Sequence, residues 1–492
     1  MYKIISNLSN HKWILLILGL ATFLRFYHID FQSMWMDELY TMKVSNPAMS
    51  WLEFHKELIA REGFPHLYFL ILKLFYWLFG FTSIAARSVS VIAGIASIYA
   101  IYLVGKVLHS KKAGLFSALL LTINSYHIYS SQDARPYTLY ILFVCLSFYR
   151  LILFLKDTSW KNTLYYALFT GLLLNFNFFG LLNVFSQCLL FVLFLFLTPK
   201  EKRFDFFKKI AIAGNIILVM FAVNYQKFFE LLKYNNFWVA PPAPDSFSKI
   251  FHSFFGDSEI VLFLIMPLLF YYLLLVFKNN ENKIISCQNL FNNKIQFGFI
   301  ILFTWFFVFF SYLMIKSYGK ISYLLTRYFI SISPVIFIIL GIAIKKIKGL
   351  VTRGIVLFLL CFFMLVHLFV VKKQYYTIHH AQYREAAAFV IKNNPNAITT
   401  YSNQEYWYNF YFNKTKTKIV LKNLSLNKVC EKFIKTPTDI KSFWYIDAFK
   451  RFDSVKQSSK DFLDKNFVIK KEFKGHKAWA TYYVIKEKSE TK

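Results

Sequence analysis

Long apolar runs recur along the first three quarters of this 492-residue chain and then stop, which excludes most folds available to a water-soluble protein. A run of roughly 17 to 25 apolar residues is what a helix needs to cross about 30 Å of hydrocarbon, where every backbone N–H and C=O must be bonded within the segment. Such runs are found at 13–27, 88–108, 113–129, 137–155, 164–178, 180–197, 210–223, 260–277, 297–315, 328–344 and 355–371, which predicts about eleven spans. The composition agrees, with 57% hydrophobic and 17% charged residues. No small-residue cleavage pattern follows the first run, so it reads as a retained anchor.

The net charge of +31 would suit nucleic acid if the basic residues formed a continuous surface. They sit instead in short clusters between apolar runs and in a Lys-rich tail, so no nucleic-acid partner is expected. The five cysteines, Cys145, Cys188, Cys287, Cys361 and Cys430, are scattered without CxxC spacing and suggest neither a disulfide framework nor a cysteine metal site.

Orientation rests on the segment 66–80, HLYFLILKLFYWLFG, which is short for a span and has Lys73 at its middle. If it does not cross, the loops with Lys106/Lys111/Lys112, Lys156/Lys161, Lys200/Lys202/Arg203 and Lys345/Lys346/Lys348 all face the cytoplasm, as the positive-inside rule prefers. We therefore read it as an amphipathic helix lying in the interface. The expected fold is an all-α polytopic membrane domain, residues 1–371, with interfacial helices in a first outer loop at 28–87. A small α/β extracytoplasmic domain follows at 372–492. Within it, 382–392 has helical spacing, while 397–401, 443–446 and 478–485 read as strands.

This orientation puts a small set of ionisable residues on one side of the bilayer. Asp37 and Glu38 lie early in the first outer loop; alone, they read as the first turn of a helix, where carboxylates complement the dipole. Asp133 and Arg135 lie in a short outer turn, Arg87 near the start of the second span, and Arg327 with Tyr328 at the start of the tenth. Each arginine alone could be a snorkelling side chain. Jointly they suit an anionic, lipid-linked substrate, since guanidinium groups grip phosphate oxygens bidentately and a carboxylate can take a proton from an attacking hydroxyl.

The residues that carry a resemblance are WMDELYT at 35–41, FPHLYFLILKLFYWLFG at 64–80, ARSVSVIAG at 86–94 and YSSQDARPYTLY at 129–140. FWVAPPAPDSF at 237–247, TRYFISISP at 326–334 and REAAAFV at 384–390 extend it. In order and spacing these resemble glycosyltransferase family 39, the protein O-mannosyltransferase and aminoarabinose-transferase-like membrane enzymes of GT-C fold.

The resemblance implies an inverting glycosyltransferase at the outer face of the plasma membrane. It would move a sugar from a polyprenyl-phosphate donor to a lipid, glycan or protein acceptor. By that analogy Asp37 is the general base and Glu38 a neighbour that positions it or binds substrate. Asp133 is a further acidic residue for acceptor or metal binding, and Arg87, Arg327 and Arg135 are the donor-phosphate residues, with Tyr328 and His66 as further substrate contacts. Family members commonly carry two prolines where this chain has Pro65-His66, and Asn177 stands where many carry a histidine. A divalent metal is therefore left open, with Glu62 and His66 as the candidate ligands. His379-His380 reads as a solvated linker. Trp35, Tyr40, Trp238 and Tyr328 are stacking platforms or interfacial belt residues.

Two rivals share some features. An O-antigen polymerase or ligase has large outer loops, generally late in the membrane domain. A lipid-linked sugar flippase would have ionisable residues deep in several spans and internal pseudo-symmetry.

Overall fold

A computed structural model of the chain describes residues 2–233, 239–278, 287–413, 419–435, 441–449 and 455–486. Trp238 lies outside the described residues. The eleven apolar runs fall on helices, but those helices differ in reach. Among the described residues, six are long and apolar enough to cross a membrane: Ser83–Leu108, Tyr137–Lys156, Gly180–Leu197, Glu259–Lys278, Lys294–Ser317 and Leu350–Val371. A seventh span arises if Lys200–Ala222 and Tyr225–Leu232, bent by 77° at their junction, count as one. Other runs are divided into shorter helices than their apolarity suggests. The run at 113–129 is broken where Asn124 accepts a bond from His127 N at 2.8 Å and starts a new helix, Ser125–Ser131. Helix Trp160–Leu174 ends at Asn175.

The chain divides into two units. The larger comprises Met1–Ile29 and Val44–Tyr375, the smaller Asp30–Lys43 and Tyr376–Lys492. The boundary inferred from apolarity at 371/372 thus differs from the structural one. The segment with Asp37 and Glu38 is grouped with the C-terminal residues rather than with the membrane helices on either side of it.

In the larger unit, helices close on small residues and polar side chains, as in other membrane bundles. Ser117 lies where helix Lys111–Thr122 meets Gly341 of helix Ser333–Lys346. Helices Tyr137–Lys156, Trp160–Leu174 and Gly180–Leu197 are tied by a buried hydrogen-bonded set. Ser147 Oγ is 2.7 Å from Thr170 Oγ1, Gln187 Nε2 donates to Ser147 Oγ at 2.8 Å, and Tyr166 Oη donates to Gln187 Oε1 at 2.8 Å. The apolar helix Leu67–Phe79, at 13 residues, is too short to span. It buries Tyr68, Phe69, Leu72 and Tyr76 on one face and exposes Leu74, Trp77 and Leu78 on the other, the two-sidedness of an interfacial helix.

The smaller unit holds five strands: β1 Thr400–Ser402, β2 Leu421–Asn423, β3 Ser442–Ala448, β4 Phe467–Gly475 and β5 Ala478–Ile485. Their order is β2-β1-β3-β5-β4, parallel across β2, β1 and β3 and antiparallel across β3, β5 and β4. A two-residue turn at His476-Lys477, with Lys477 at φ 51°, joins β4 to β5. Tyr401, Val429, Phe443, Leu463 and Tyr483 fill the core beneath one face. Edge strand β4 exposes lysines, which discourage pairing with another chain.

Candidate active site

In the smaller unit, Asp37 and Glu38 occupy the first turn of helix Met36–Val44. Trp35 stands at its N-cap, where Leu39 N donates to Trp35 O at 2.9 Å. Glu38 Oε2 reaches back to accept from Trp35 N at 3.4 Å, the glutamate half of a capping box. Glu38 is fully buried, whereas Asp37, one residue earlier, is only partly buried. Leu39, Thr41 and Met42 form the buried face of the helix.

The C-terminal residues of the same unit hold this segment. Gln32 Nε2 donates to Thr377 O at 2.7 Å, and Gln32 Oε1 accepts from His379 N and His380 N at 3.0 and 3.2 Å. Arg384 donates to Asp30 O and Phe31 O, each at 2.8 Å, and Arg384 N donates to Ser33 Oγ at 3.1 Å. His380 Nδ1 lies 3.1 Å from Ser33 O and 3.7 Å from Glu38 Oε2. Lys43 sits 4.3 Å from the Tyr406 ring centroid. The reading of His379-His380 as a solvated linker is therefore corrected for His380: its side chain is buried and bonded within the fold.

In the larger unit a second set of charges assembles around Glu62. Helix Trp51–Arg61 starts at a Ser50/Glu53 capping box and ends at Glu62. Arg135 grips Glu62 with both terminal nitrogens, NH1 to Oε2 at 3.3 Å and NH2 to Oε1 at 3.2 Å, and Gly63 N donates to Oε1 at 2.8 Å. The guanidinium also lies 4.8 Å from the Phe64 ring centroid. Arg135 N donates to Asp133 O at 2.7 Å, closing the turn that the sequence marks before Pro136. Asp133 is buried. Ser90 Oγ donates to Arg135 O at 3.0 Å and fixes that turn to helix Ser83–Leu108.

His66 precedes helix Leu67–Phe79, and its Nδ1 is 3.1 Å from Asn224 Oδ1. Asn224 Nδ2 donates onward to Asn175 Oδ1 at 2.7 Å, so Asn224 Oδ1 is the acceptor and His66 Nδ1 carries the proton. Burial holds the His66 pKa below its ordinary value, with the Asn224 hydrogen bond opposing it and the His55 and Lys227 charges adding to it. His55 stacks on His66 at 5.1 Å, and buried Lys227 donates to Ile59 O at 2.8 Å while interacting with the Glu62 charge. The sequence reading missed Asn224, Asn175, His55 and Lys227, which follow no motif; Asn224 lies 158 residues from His66.

Glu62 and His66, the candidates for a metal, do not fit one here. Glu62 is engaged by Arg135 and Gly63. Among the described residues no group of three or more His, Cys, Asp and Glu could hold a metal ion. Asn177 is used locally, accepting from Phe179 N at 2.9 Å.

The other arginines are disposed differently. Arg87 is fully buried and donates to Ile29 O at 2.8 Å. Arg327 lies in the 3₁₀ turn Thr326–Tyr328 and stays partly exposed, 5.9 Å from the Tyr328 ring centroid; Tyr328 in turn lies 5.0 Å from Phe179. The sequence reading also missed Arg25. Its guanidinium is fully buried at the C-terminal end of helix Lys111–Thr122, donating to Thr122 O and Leu121 O at 3.1 and 3.3 Å and to His127 Nδ1 at 2.7 Å. Those terminal carbonyls carry the negative end of the helix dipole. With Nδ1 accepting, His127 Nε2 holds the proton and donates to Ser97 Oγ at 2.9 Å.

Residues 64–225 match the family model described as dolichyl-phosphate-mannose-protein mannosyltransferase. The fold is similar to that of ArnT from Cupriavidus metallidurans in the apo state, with TM-score 0.62 and 11% identity over 96% of this chain and 98% of that one. The chain has the GT-C fold of membrane glycosyltransferases. ArnT bound to undecaprenyl phosphate matches this chain with TM-score 0.58 at 11% identity, again over 96% and 98% of the two chains. The archaeal oligosaccharyltransferase AglB from Archaeoglobus fulgidus, in complex with an inhibitory peptide and a dolichol-phosphate, matches with TM-score 0.53 at 10% identity, over 90% of this chain and 70% of that one. No curated protein sequence matches.

Proposed function

We propose that this protein is a glycosyltransferase that moves a sugar from a polyprenyl-phosphate donor to a hydroxyl of a lipid, glycan or protein acceptor, with inversion, at the outer face of the plasma membrane. The observation that carries the reading is the first turn of helix Met36–Val44: Glu38 is turned inward as a cap while the neighbouring residue Asp37 is only partly buried. Two of the similar structures contain a polyprenyl phosphate, undecaprenyl phosphate in ArnT and a dolichol-phosphate in AglB, which supports the donor class.

In the proposed reaction the acceptor oxygen attacks the anomeric carbon as the bond from that carbon to the phosphate oxygen breaks. Polyprenyl phosphate leaves with the bonding pair, and Asp37 takes the acceptor's proton. Arg327 is the arginine best suited to the leaving phosphate, because the residue is only partly buried and fixed positive charge is most useful where negative charge develops. Arg87 and Arg135 are given positioning work by their partners: Arg87 holds the chain at Ile29, and Arg135 braces Glu62 beside Asp133. His66 and Tyr328 remain proposed substrate contacts.

The test is to incubate the purified protein in nanodiscs with a labelled polyprenyl-phosphate sugar and an envelope extract as acceptor. Release of one polyprenyl phosphate per sugar transferred, with inverted anomeric configuration, is expected. Labelled lipid that crosses the bilayer uncleaved would make the protein a flippase instead.

A further inference from the structure

Helix Met36–Val44 has nine residues, too few to be stable by itself, and its first-turn N–H groups have no partners within the helix. Whatever directs the Asp37 side chain must therefore come from outside the helix. In the smaller unit one imidazole is placed to do so. His380 Nδ1 is 3.1 Å from Ser33 O, four residues before Asp37, and 3.7 Å from Oε2 of Glu38, the residue after it. Both neighbours are acceptors, so Nδ1 carries the proton and faces them together. The His380 ring also lies 5.9 Å from Trp35, the N-cap, at an interplanar angle of 48°.

His380 is held in turn. Its backbone N–H donates to Gln32 Oε1 at 3.2 Å, and Arg384, one turn of chain further on, fixes the carbonyls of Asp30 and Phe31 at 2.8 Å each. The entry to the helix is thus clamped before Asp37 by Gln32 and Arg384. His380 bridges from that clamp to the capping carboxylate after Asp37.

We infer that His380 is a positioning residue for catalysis: its Nδ1–H, bonded to Ser33 O and 3.7 Å from the Glu38 carboxylate, sets the rotation of the first helical turn and so the direction of the Asp37 carboxylate. This gives the C-terminal residues a task in the chemistry and rests on the proposed role of Asp37. His380 itself touches no reacting atom.

The experiment compares His380→Asn, which keeps a donor near the Nδ1 position, with His380→Phe, which keeps the ring without the donor. Both are made in the full-length protein in nanodiscs. His380→Phe is expected to lower kcat for sugar transfer about 10- to 100-fold at unchanged KM for the polyprenyl-phosphate donor, the loss typical of a reacting group misplaced by about 1 Å. His380→Asn is expected to stay within about threefold of wild type, by the same geometric reasoning. Equal losses in the two variants, or wild-type kcat in His380→Phe, would overturn the inference.

Hydrogen–deuterium exchange gives a readout independent of activity. His380→Phe should speed exchange over residues 35–40 while leaving β3 and β5 protected, and unchanged exchange over 35–40 counts against the inference. Asp37→Asn in the same transfer assay separates the two claims. Full activity there would remove the role of Asp37, whereas an inactive Asp37→Asn beside a fully active His380→Phe would remove only the role of His380.

Discussion

Glu62 and Arg135, 73 residues apart in sequence, form a buried bidentate ion pair with N···O distances of 3.2 and 3.3 Å. The pair joins the end of helix Trp51–Arg61 to the turn that holds Asp133, with the Phe64 ring against the guanidinium. Removing one partner strands a charge away from water, which typically costs about 3–5 kcal/mol, whereas replacing both by apolar groups of similar volume can be neutral. Glu62→Ala should therefore lower the thermal midpoint in detergent far more than a Glu62→Met/Arg135→Met double variant. Equal loss in both would mean that packing, not charge, dominates the site.

His66 supplies a pH test. Its folded pKa lies below the ordinary 6.5, chiefly through burial, so the folded state resists taking up the proton that the unfolded chain accepts. The sign follows: this contribution is fully present above pH 6.5 and is lost as pH falls through 6.5 towards the depressed folded value. Melting curves from neutral to acid pH should show wild type losing stability more steeply than His66→Asn below that point. Identical slopes would contradict the burial of a neutral imidazole.

The apolar helices were legible in the sequence because hydrocarbon tolerates few alternatives to a long apolar helix, but of the eleven runs read as spans only six helices, or seven with the bent pair, are long and apolar enough to cross among the described residues. Helix Tyr383–Asn393 and strand β5, Ala478–Ile485, matched their patterns to within a residue or so. Short strand β2, Leu421–Asn423, and exposed edge strand β4 gave no clear period-two signal. Asp37 stood out through its acidic pair with Glu38 and through the resemblance carried by WMDELYT at 35–41. That Glu38 caps the helix and that His380 and Arg384 hold its entry were not legible, because those partners lie about 350 residues along the chain and hydrogen-bond mainly to backbone carbonyls, which any sequence supplies. Buried Arg25 was hidden for the same reason: three of its acceptors are main-chain oxygens.

Close helix packing gives a prediction away from the charged residues. A Cβ added at Gly114 would collide with Tyr102 O and come within 3.0 Å of Lys106 N, both backbone atoms of helix Ser83–Leu108. Neither can turn aside, so the two helices would have to part. Gly114→Ala should cost about 1–3 kcal/mol, the usual range for overpacking, while Gly214→Ala, where nothing lies within 4 Å, should be tolerated. Thermal melting of the two variants in the same detergent checks the contrast.

Removal of the acceptor hydroxyl's proton by Asp37 is tested by the single-turnover rate of sugar transfer from a labelled polyprenyl-phosphate donor by Asp37→Asn. The amide preserves size and hydrogen bonding but is not a base, so the rate should fall by about 10²–10⁴-fold while donor binding and the melting midpoint stay at wild-type values. Transfer by Asp37→Asn at the wild-type rate would mean that Asp37 is not the base.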